Sequence, residues 1–219
     1  MHPTLTAAKA VLRQDLVMRQ LVDTLPVSDR YQPGQQPDVY LKLLRSVIGQ
    51  QISTAAAGAI WRRMIDLFDS GYPIPEELLD IDDDAFRMAG LSRAKIKYVR
   101  NVAEYFTQPE HARLDWTELE TDDILTRLTA IVGVGKWTVQ MILIFALSRP
   151  DVFPYDDLVI RNQIIKLYDV TEAGRELRPR VHEIAEAWRP YRSIACLYLW
   201  DWYRYEKGVQ AREGSIGRH

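Results

Sequence analysis

Leu128-Thr129-Ala130-Ile131-Val132-Gly133-Val134-Gly135-Lys136-Trp137-Thr138 is the stretch on which the fold turns. A helix stops, two glycines flank a valine, and a second helix begins. Glycine admits positive φ and lets a ligand approach the backbone with no Cβ in the way. The first amides of a helix have no intrahelical partner and point outward. That arrangement binds a phosphate, directly or through a bound monovalent cation. Glycine-bearing joints between helices are also ordinary packing devices in bundles, so the turn by itself leaves both readings open.

Outward from this turn the hydrophobic period is helical nearly throughout. Upstream, Leu41, Leu44, Val47 and Ile48 recur at the three-and-four spacing of an apolar helix face. Past the polar interruption Gly49-Gln50-Gln51, Ser53 is placed to cap a second helix whose stripe holds Ala57, Ile60, Trp61, Met64, Ile65 and Phe68. Further helices are predicted over 76–80, 83–89 and 93–106, then a polar connector with a turn or short helix over 108–121, then a helix over 123–131 capped by Thr121 or Asp122. The helix over 137–147 is apolar nearly all round and is expected inside the protein. Phe153-Pro154-Tyr155 leads into a helix that begins near Asp156 or Asp157 and runs through Leu167, and helices over 178–187 and 190–206 follow. Strand-like alternation is scarce, so the fold class is all-α.

Composition removes several functions. With 219 residues, 47% apolar and 26% charged, the chain buries a core as one domain or two small lobes. No apolar run approaches the roughly 18 residues a membrane span needs. Residues 1–16 contain no apolar segment ending in a cleavage-like site, so an intracellular location is expected, cytoplasmic in a bacterium and nuclear in a eukaryote. The single cysteine, Cys196, excludes an intrachain disulfide and a four-cysteine iron–sulfur site, and it is expected to be a buried small hydrophobe. His2, His111, His182 and His219 show no metal-ligand spacing with each other or with Cys196. Gly-rich nucleotide loops and a Gly-x-Ser-x-Gly elbow are both missing. A net charge of −2 is uninformative, because phosphate affinity depends on where the cations sit. Residues 85–103 hold Arg87, Arg93, Lys95, Lys97 and Arg100 with no acid, while Asp80, Asp82, Asp83 and Asp84 gather upstream. That run reads as a solvated helix face or as a nucleic-acid footprint.

Five segments in order carry a resemblance. Ile48-Gly49-Gln50-Gln51-Ile52-Ser53, Gly90-Leu91-Ser92 with Lys95, the Gly133-Val134-Gly135 turn followed by Trp137-Thr138, Phe153-Pro154-Tyr155-Asp156-Asp157, and Trp188-Arg189-Pro190-Tyr191-Arg192-Ser193 together resemble the helix-hairpin-helix DNA glycosylases, in particular the 3-methyladenine DNA glycosylase II branch. The likeness covers roughly residues 38–204. Larger bacterial members carry an N-terminal β-domain for which 37 residues are too few, so the compact form is implied. The resemblance implies a two-lobed all-α fold with the active site in the cleft between lobes. Residues 38–149 would form a helical barrel ending in the hairpin, and 1–37 with 150–219 the other lobe.

The same resemblance implies the site. Asp157 is the catalytic carboxylate. Trp137 and Tyr191, with Trp61 held more loosely, wall the base pocket. Gln51 is the wedge that fills the gap left by a flipped base. The DNA contacts are Gly133, Val134, Gly135, Lys136 and Thr138 of the hairpin and Ser92 and Lys95 of the second loop. Backbone at Val132 and Gly135 is the candidate site for a structural Na+ or K+, and no other cofactor is implied. The partner is double-stranded DNA carrying damaged bases, bound by a monomer, with no membrane.

The residue types fit that chemistry. Breaking an N-glycosidic bond builds positive charge on the sugar, which a nearby carboxylate stabilises while it orients or deprotonates water. A helix start favours the anionic form of Asp157. Read locally, Asp156 and Asp157 are better explained as caps of the helix that follows, and it is the resemblance that favours Asp157 as the acid, with Asp156 the expected cap or supporting group. Bifunctional members place a Schiff-base lysine where Trp137 stands, and Lys136 lies about 100° away around the helix, so base release without strand cleavage is expected. Cationic alkylated purines such as 3-methyladenine and 7-methylguanine leave readily and attract electron-rich rings by about 0.5–2 kcal/mol. The alternatives are a glycosylase of the same fold for oxidised or mismatched bases, a non-catalytic DNA-binding hairpin module, and a helical protein-interaction domain.

Overall fold

The computed structural model describes residues 3–26, residue 31 and residues 37–216, with backbone only over 209–216. His2 and His219 lie outside the described residues, as does part of the segment 1–37 assigned above to the second lobe. Among the described residues every regular element is helical. In chain order these are α1 (Pro3–Leu12), α2 (Leu16–Thr24), α3 (Val39–Gly49), α4 (Thr54–Ile65), α5 (Pro75–Asp80), α6 (Asp83–Ala89) and α7 (Arg93–Thr107). They continue with α8 (Pro109–Ala112), α9 (Thr121–Thr129), α10 (Lys136–Phe145), α11 (Leu158–Leu167), α12 (Leu177–Glu186) and α13 (Arg192–Ile216). No described helix is long and apolar enough to cross a membrane. The chain divides into two compact units, one of Gly34–Leu147 and one of Met1–Pro33 with Ser148–His219.

In the Gly34–Leu147 unit, α3 packs on α7 through two apolar stripes, Leu43, Leu44, Val47 and Ile48 against Ile96, Val99, Val102 and Ala103, all buried. The helix starts are set by side-chain caps. Asp38 accepts from the Leu41 amide at 2.8 Å and Ser53 from the Ala56 amide at 3.2 Å, as the spacing after Gly49-Gln50-Gln51 predicts. α9 departs from expectation. It begins at Thr121 after Glu120, and no side chain caps it, so neither Thr121 nor Asp122 does that work. Asp122 and Asp123 instead lie in its first turn, where the helix dipole favours negative charge. α10 is not apolar on every side: it buries Thr138, Val139, Gln140 and Ile142–Ile144 and leaves Trp137 43% exposed.

In the other unit, Asp15 joins three elements. One carboxylate oxygen caps α2 through the Val17 and Met18 amides at 2.9 and 3.0 Å, and the other accepts from Tyr168 at 2.7 Å and from Trp188 Nε1 at 3.4 Å. The helices α1 and α2 were not read from the sequence, although Leu5, Ala8 and Leu12 repeat at helical spacing and are buried. α13 runs ten residues past the predicted end at 206, to Ile216. Its first two turns, residues 193–200, are wholly buried and contain Cys196.

Candidate active site

Asp157 is the N-cap of α11, and Asp156 is not. Three donors converge on one oxygen of Asp157: the Val159 and Ile160 amides, each at 3.0 Å, and Trp200 Nε1 at 3.2 Å. Two are the unsatisfied amides of a helix start, and the third arrives from α13. The carboxyl group is thereby fixed in one orientation with only 9% of the residue exposed. Asp156, the expected cap, is exposed and pairs with Arg178 at 3.2 Å. The reason is geometric: the chain turns at Pro154, whose carbonyl accepts the Asp157 amide at 3.0 Å, and this sets Asp157 at the cap position. Burial and the neighbouring Asp157 push the Cys196 thiol far above its usual pKa, so it stays a neutral, inert neighbour.

The segment Trp188–Ser193 holds the backbone that leads to Asp157. Arg192, largely buried, clasps Asp151 with Nε at 2.7 Å and Nη2 at 3.1 Å. The Ser193 amide donates to the Pro150 carbonyl at 2.9 Å, and its hydroxyl accepts from the Val152 amide at 2.8 Å. Trp188 is fully buried, whereas Tyr191 at the head of α13 keeps partial exposure. The motif therefore positions the acid-bearing loop as much as it supplies an aromatic.

In the Gly34–Leu147 unit the structure brings three loops together. Gly133 has φ +102°, and a Cβ there would lie 2.3 Å from Tyr98 Cγ, so the hairpin rests directly on the α7 ring. Gln50 Nε2 donates to the Gly133 carbonyl at 3.1 Å, tying the α3–α4 loop to the hairpin. Asn101 Nδ2 donates to the Val132 carbonyl at 3.0 Å. Lys95 Nζ donates to the Ile48 carbonyl at 2.6 Å, and Ser92 caps α7 through the Lys95 amide at 3.4 Å. Gln51, with φ +59°, stands exposed at the tip of the loop these bonds brace.

The side chains of the expected DNA contacts lie as follows. Lys95 is turned inward to Ile48, and desolvation pulls its ammonium pKa down, so it is a brace between loops and not an outward cation. Thr138 and Val134 are 3% and 4% exposed, which leaves their side chains no reach to a phosphate. Lys136 and Gly135 are exposed at the start of α10, and no side chain caps that helix. Of the basic run, Arg100 is bound to the Leu79 and Ile81 carbonyls and to Asp83, and Arg87 to Asp84, so both serve α5 and α6. Trp61 is half-buried beneath the Arg45 guanidinium, 5.9 Å from its ring centre.

Residues 44–190 match the HhH-GPD superfamily of base excision DNA repair proteins. The chain belongs to that family. The matched span takes in the Gln50-Gln51 loop, the hairpin and the Asp157 segment of this HhH-GPD protein, and it ends before Arg192, Ser193 and Trp200. The chain is 36% identical over 180 residues to DNA-3-methyladenine glycosylase 1 of Schizosaccharomyces pombe, covering 78% of this chain and 76% of that protein. Its fold is similar to the S. pombe 3-methyladenine DNA glycosylase Mag1 in complex with abasic DNA, with a TM-score of 0.72, 34% identity and coverage of 89% of this chain and 95% of that one. A DNA-3-methyladenine glycosidase from Bacillus halodurans is similar at a TM-score of 0.73 and 35% identity, over 91% of this chain and 88% of that one.

Trp200 is the site residue that sequence reading missed. Nothing local marks it among six tryptophans; its indole lies 43 positions from Asp157 and meets it only in the fold. Trp200→Phe keeps an aromatic ring, smaller than indole, and removes the donor. A hydrogen bond to a charged group contributes about 1.5–3 kcal/mol to stability, so thermal unfolding should shift down, and the carboxyl group, no longer held in one orientation, should support slower single-turnover base release. DNA affinity measured alongside should not change.

Proposed function

We propose that this HhH-GPD protein is a monofunctional DNA glycosylase that releases alkylated bases, of the 3-methyladenine and 7-methylguanine type, from double-stranded DNA in base excision repair. The observation that carries the reading is the Asp157 carboxyl group, pinned by two helix-start amides and Trp200. It stands in a chain similar over most of its length to proteins named for 3-methyladenine. In the reaction the C1′–N bond breaks, its electron pair leaves with the base, and positive charge spreads over C1′ and the ring oxygen. Asp157 stabilises that charge and receives the proton as water adds to C1′. A cationic base needs no strong general acid to leave. The half-exposed indole of Trp137 and the ring of Tyr191 offer it aromatic faces.

The hairpin and the Gln50-Gln51 loop hold the DNA. Lys136 and the Gly135–Lys136 backbone meet a phosphate. A monovalent cation held by the Val132 and Gly135 carbonyls would bridge to it, since each of these oxygens keeps a lone pair beyond its bond to Asn101 or to the Val139 amide. No cluster of three or more His, Cys, Asp or Glu side chains suited to a metal occurs among the described residues. Gln51 enters the stack as the base leaves it, at an unstacking cost of a few kcal/mol. Gln51→Ala should therefore weaken binding to DNA with a tetrahydrofuran abasic analogue by about tenfold in a titration, and unchanged affinity would remove Gln51 from the mechanism.

Incubation with methylated DNA, followed by chromatography of the freed bases, tests the function. The expected result is release of 3-methyladenine and 7-methylguanine with the strand left intact. Treatment with borohydride should trap no covalent adduct, because Trp137 occupies the place of a Schiff-base lysine. An absence of freed bases would overturn the proposal, and a trapped adduct would overturn its monofunctional part.

A further inference from the structure

Beside Asp157 in the chain lies a cluster of cations that the proposed reaction does not use. The Tyr155 ring holds two guanidinium groups, with Arg178 Cζ 4.5 Å and Arg161 Cζ 5.6 Å from its centre. His182 stacks on the same ring at 5.3 Å and meets the buried Phe153 edge-on at 5.3 Å, so this platform is anchored in the fold. Among the described residues one acid serves the two arginines. Asp156 accepts from Arg178 Nη2 at 3.2 Å, and both of those side chains stay more than half exposed. From residue 150 to 204 every other described lysine and arginine is paired with a carboxylate, and Arg161 is not. The Arg161 amide donates to the Asp157 carbonyl at 3.0 Å, which sets this half-buried arginine one helical turn from the acid.

A cation–π contact orients a guanidinium without consuming its N–H donors, and that planar fork fits an anion with several oxygens. An arginine held in this way with no carboxylate on it is set for a phosphate. The substrate supplies one, because the deoxyribose that Asp157 would face is esterified on both sides and carries a phosphodiester at each. We propose, on the reading of Asp157 as the glycosylase carboxylate, that Arg161 and Arg178, aligned over Tyr155, grip one of the two phosphates flanking the target nucleotide. The pair offsets the repulsion between that carboxylate and the DNA backbone, and it holds the nucleotide after its base has left the stack. Asp156 then has a part as well: it keeps Arg178 in place until the phosphate arrives.

The test titrates full-length protein, by fluorescence anisotropy, with duplexes carrying a tetrahydrofuran abasic analogue. One duplex has normal linkages, and two have a neutral methylphosphonate on the 5′ or the 3′ side of the analogue. The native protein should bind one of the neutral duplexes about tenfold more weakly, as expected for a lost hydrogen bond between charged groups. Arg161→Gln should show the same loss on the normal duplex and no further loss on that neutral one, and Arg178→Gln should behave alike. Arg175→Gln, the same change of charge at an exposed arginine, should bind DNA and release bases as the native protein does. A native protein indifferent to both neutral linkages, or an Arg161→Gln loss that adds in full to that of each neutral duplex, would overturn the proposal. So would an equal loss in Arg175→Gln, which would leave general charge attraction only. Base release from methylated DNA, measured in parallel, separates the two readings. Bases freed without the Arg161–phosphate coupling overturn the phosphate grip alone, and coupling without freed bases overturns the glycosylase reading alone.

Discussion

Replacing Asp157 with asparagine is expected to stop base release from methylated DNA and to leave DNA binding intact. The substitution separates the observed capping role of the residue from its proposed role in base release. As a helix cap asparagine is nearly equal to aspartate, so the Val159 and Ile160 amides keep an acceptor and α11 keeps its start. What is lost is the negative charge near C1′. Removing one electrostatic contributor from a preorganised site typically lowers the rate about 10²–10³-fold, and here the variant removes the only formal charge assigned to the sugar. Asp157→Ala is the less informative variant, since it also costs about 0.5–2 kcal/mol as a lost cap. Single-turnover base release and a DNA-binding titration on the asparagine variant check the prediction. Near-normal release would return Asp157 to the role of a structural cap.

The second large effect is expected at the hairpin. Gly133→Ala should lower DNA affinity at least tenfold and destabilise the protein by about 2–5 kcal/mol, the sum of a left-handed backbone conformation on a residue with a Cβ and of overpacking against a neighbour. Both costs are visible: φ is +102°, and the added carbon would meet the Tyr98 ring at 2.3 Å. Gly133→Ala with Tyr98→Ala should recover the packing part of the stability and not the backbone part, and thermal unfolding of the two variants reads the split. Its effect on DNA affinity has a structural route. The Gly133 carbonyl accepts from Gln50, so a displaced hairpin also displaces the loop that carries Gln51.

How far the sequence reveals this protein depends on how local each cause is. The hairpin was legible because its glycines, its apolar flanks and the helix after it lie within eleven residues. The candidate acid came from the resemblance of Phe153–Asp157 to the family's segment, since paired aspartates before an apolar helix read locally as caps. Which of the pair caps that helix was not legible, because the answer depends on the turn at Pro154 and on Trp200 arriving from α13. Lys95 looks like an outward cation at the start of a helix, yet it bonds a carbonyl 47 positions upstream. Thr138 lies in the hairpin motif and is buried all the same, because α10 turns that face toward its own unit. The helices α1 and α2 escaped because their apolar repeat is short and Asp15, which ties them to Tyr168 and Trp188, finds its partners only in the fold.

The roles of the two structural devices around the acid follow from the same contacts. Arg192 and Ser193 fasten residues 150–152, and Trp200 fixes the carboxyl itself. Damage to the first pair should loosen the loop and reduce stability along with rate, and loss of the indole donor should also cost stability while freeing the carboxyl group itself.

The claim at the centre of this account is that the carboxylate at position 157 stabilises a cationic sugar. Affinity for two abasic-site mimics measures this most directly: DNA bearing a pyrrolidine ring, positively charged where the oxocarbenium ion would be, and DNA bearing the neutral tetrahydrofuran ring. Complementarity to the transition state predicts at least tenfold tighter binding of the charged ring, with the preference lost in Asp157→Asn. Equal binding of the two rings by the native protein, or a preference that survives the substitution, would contradict it.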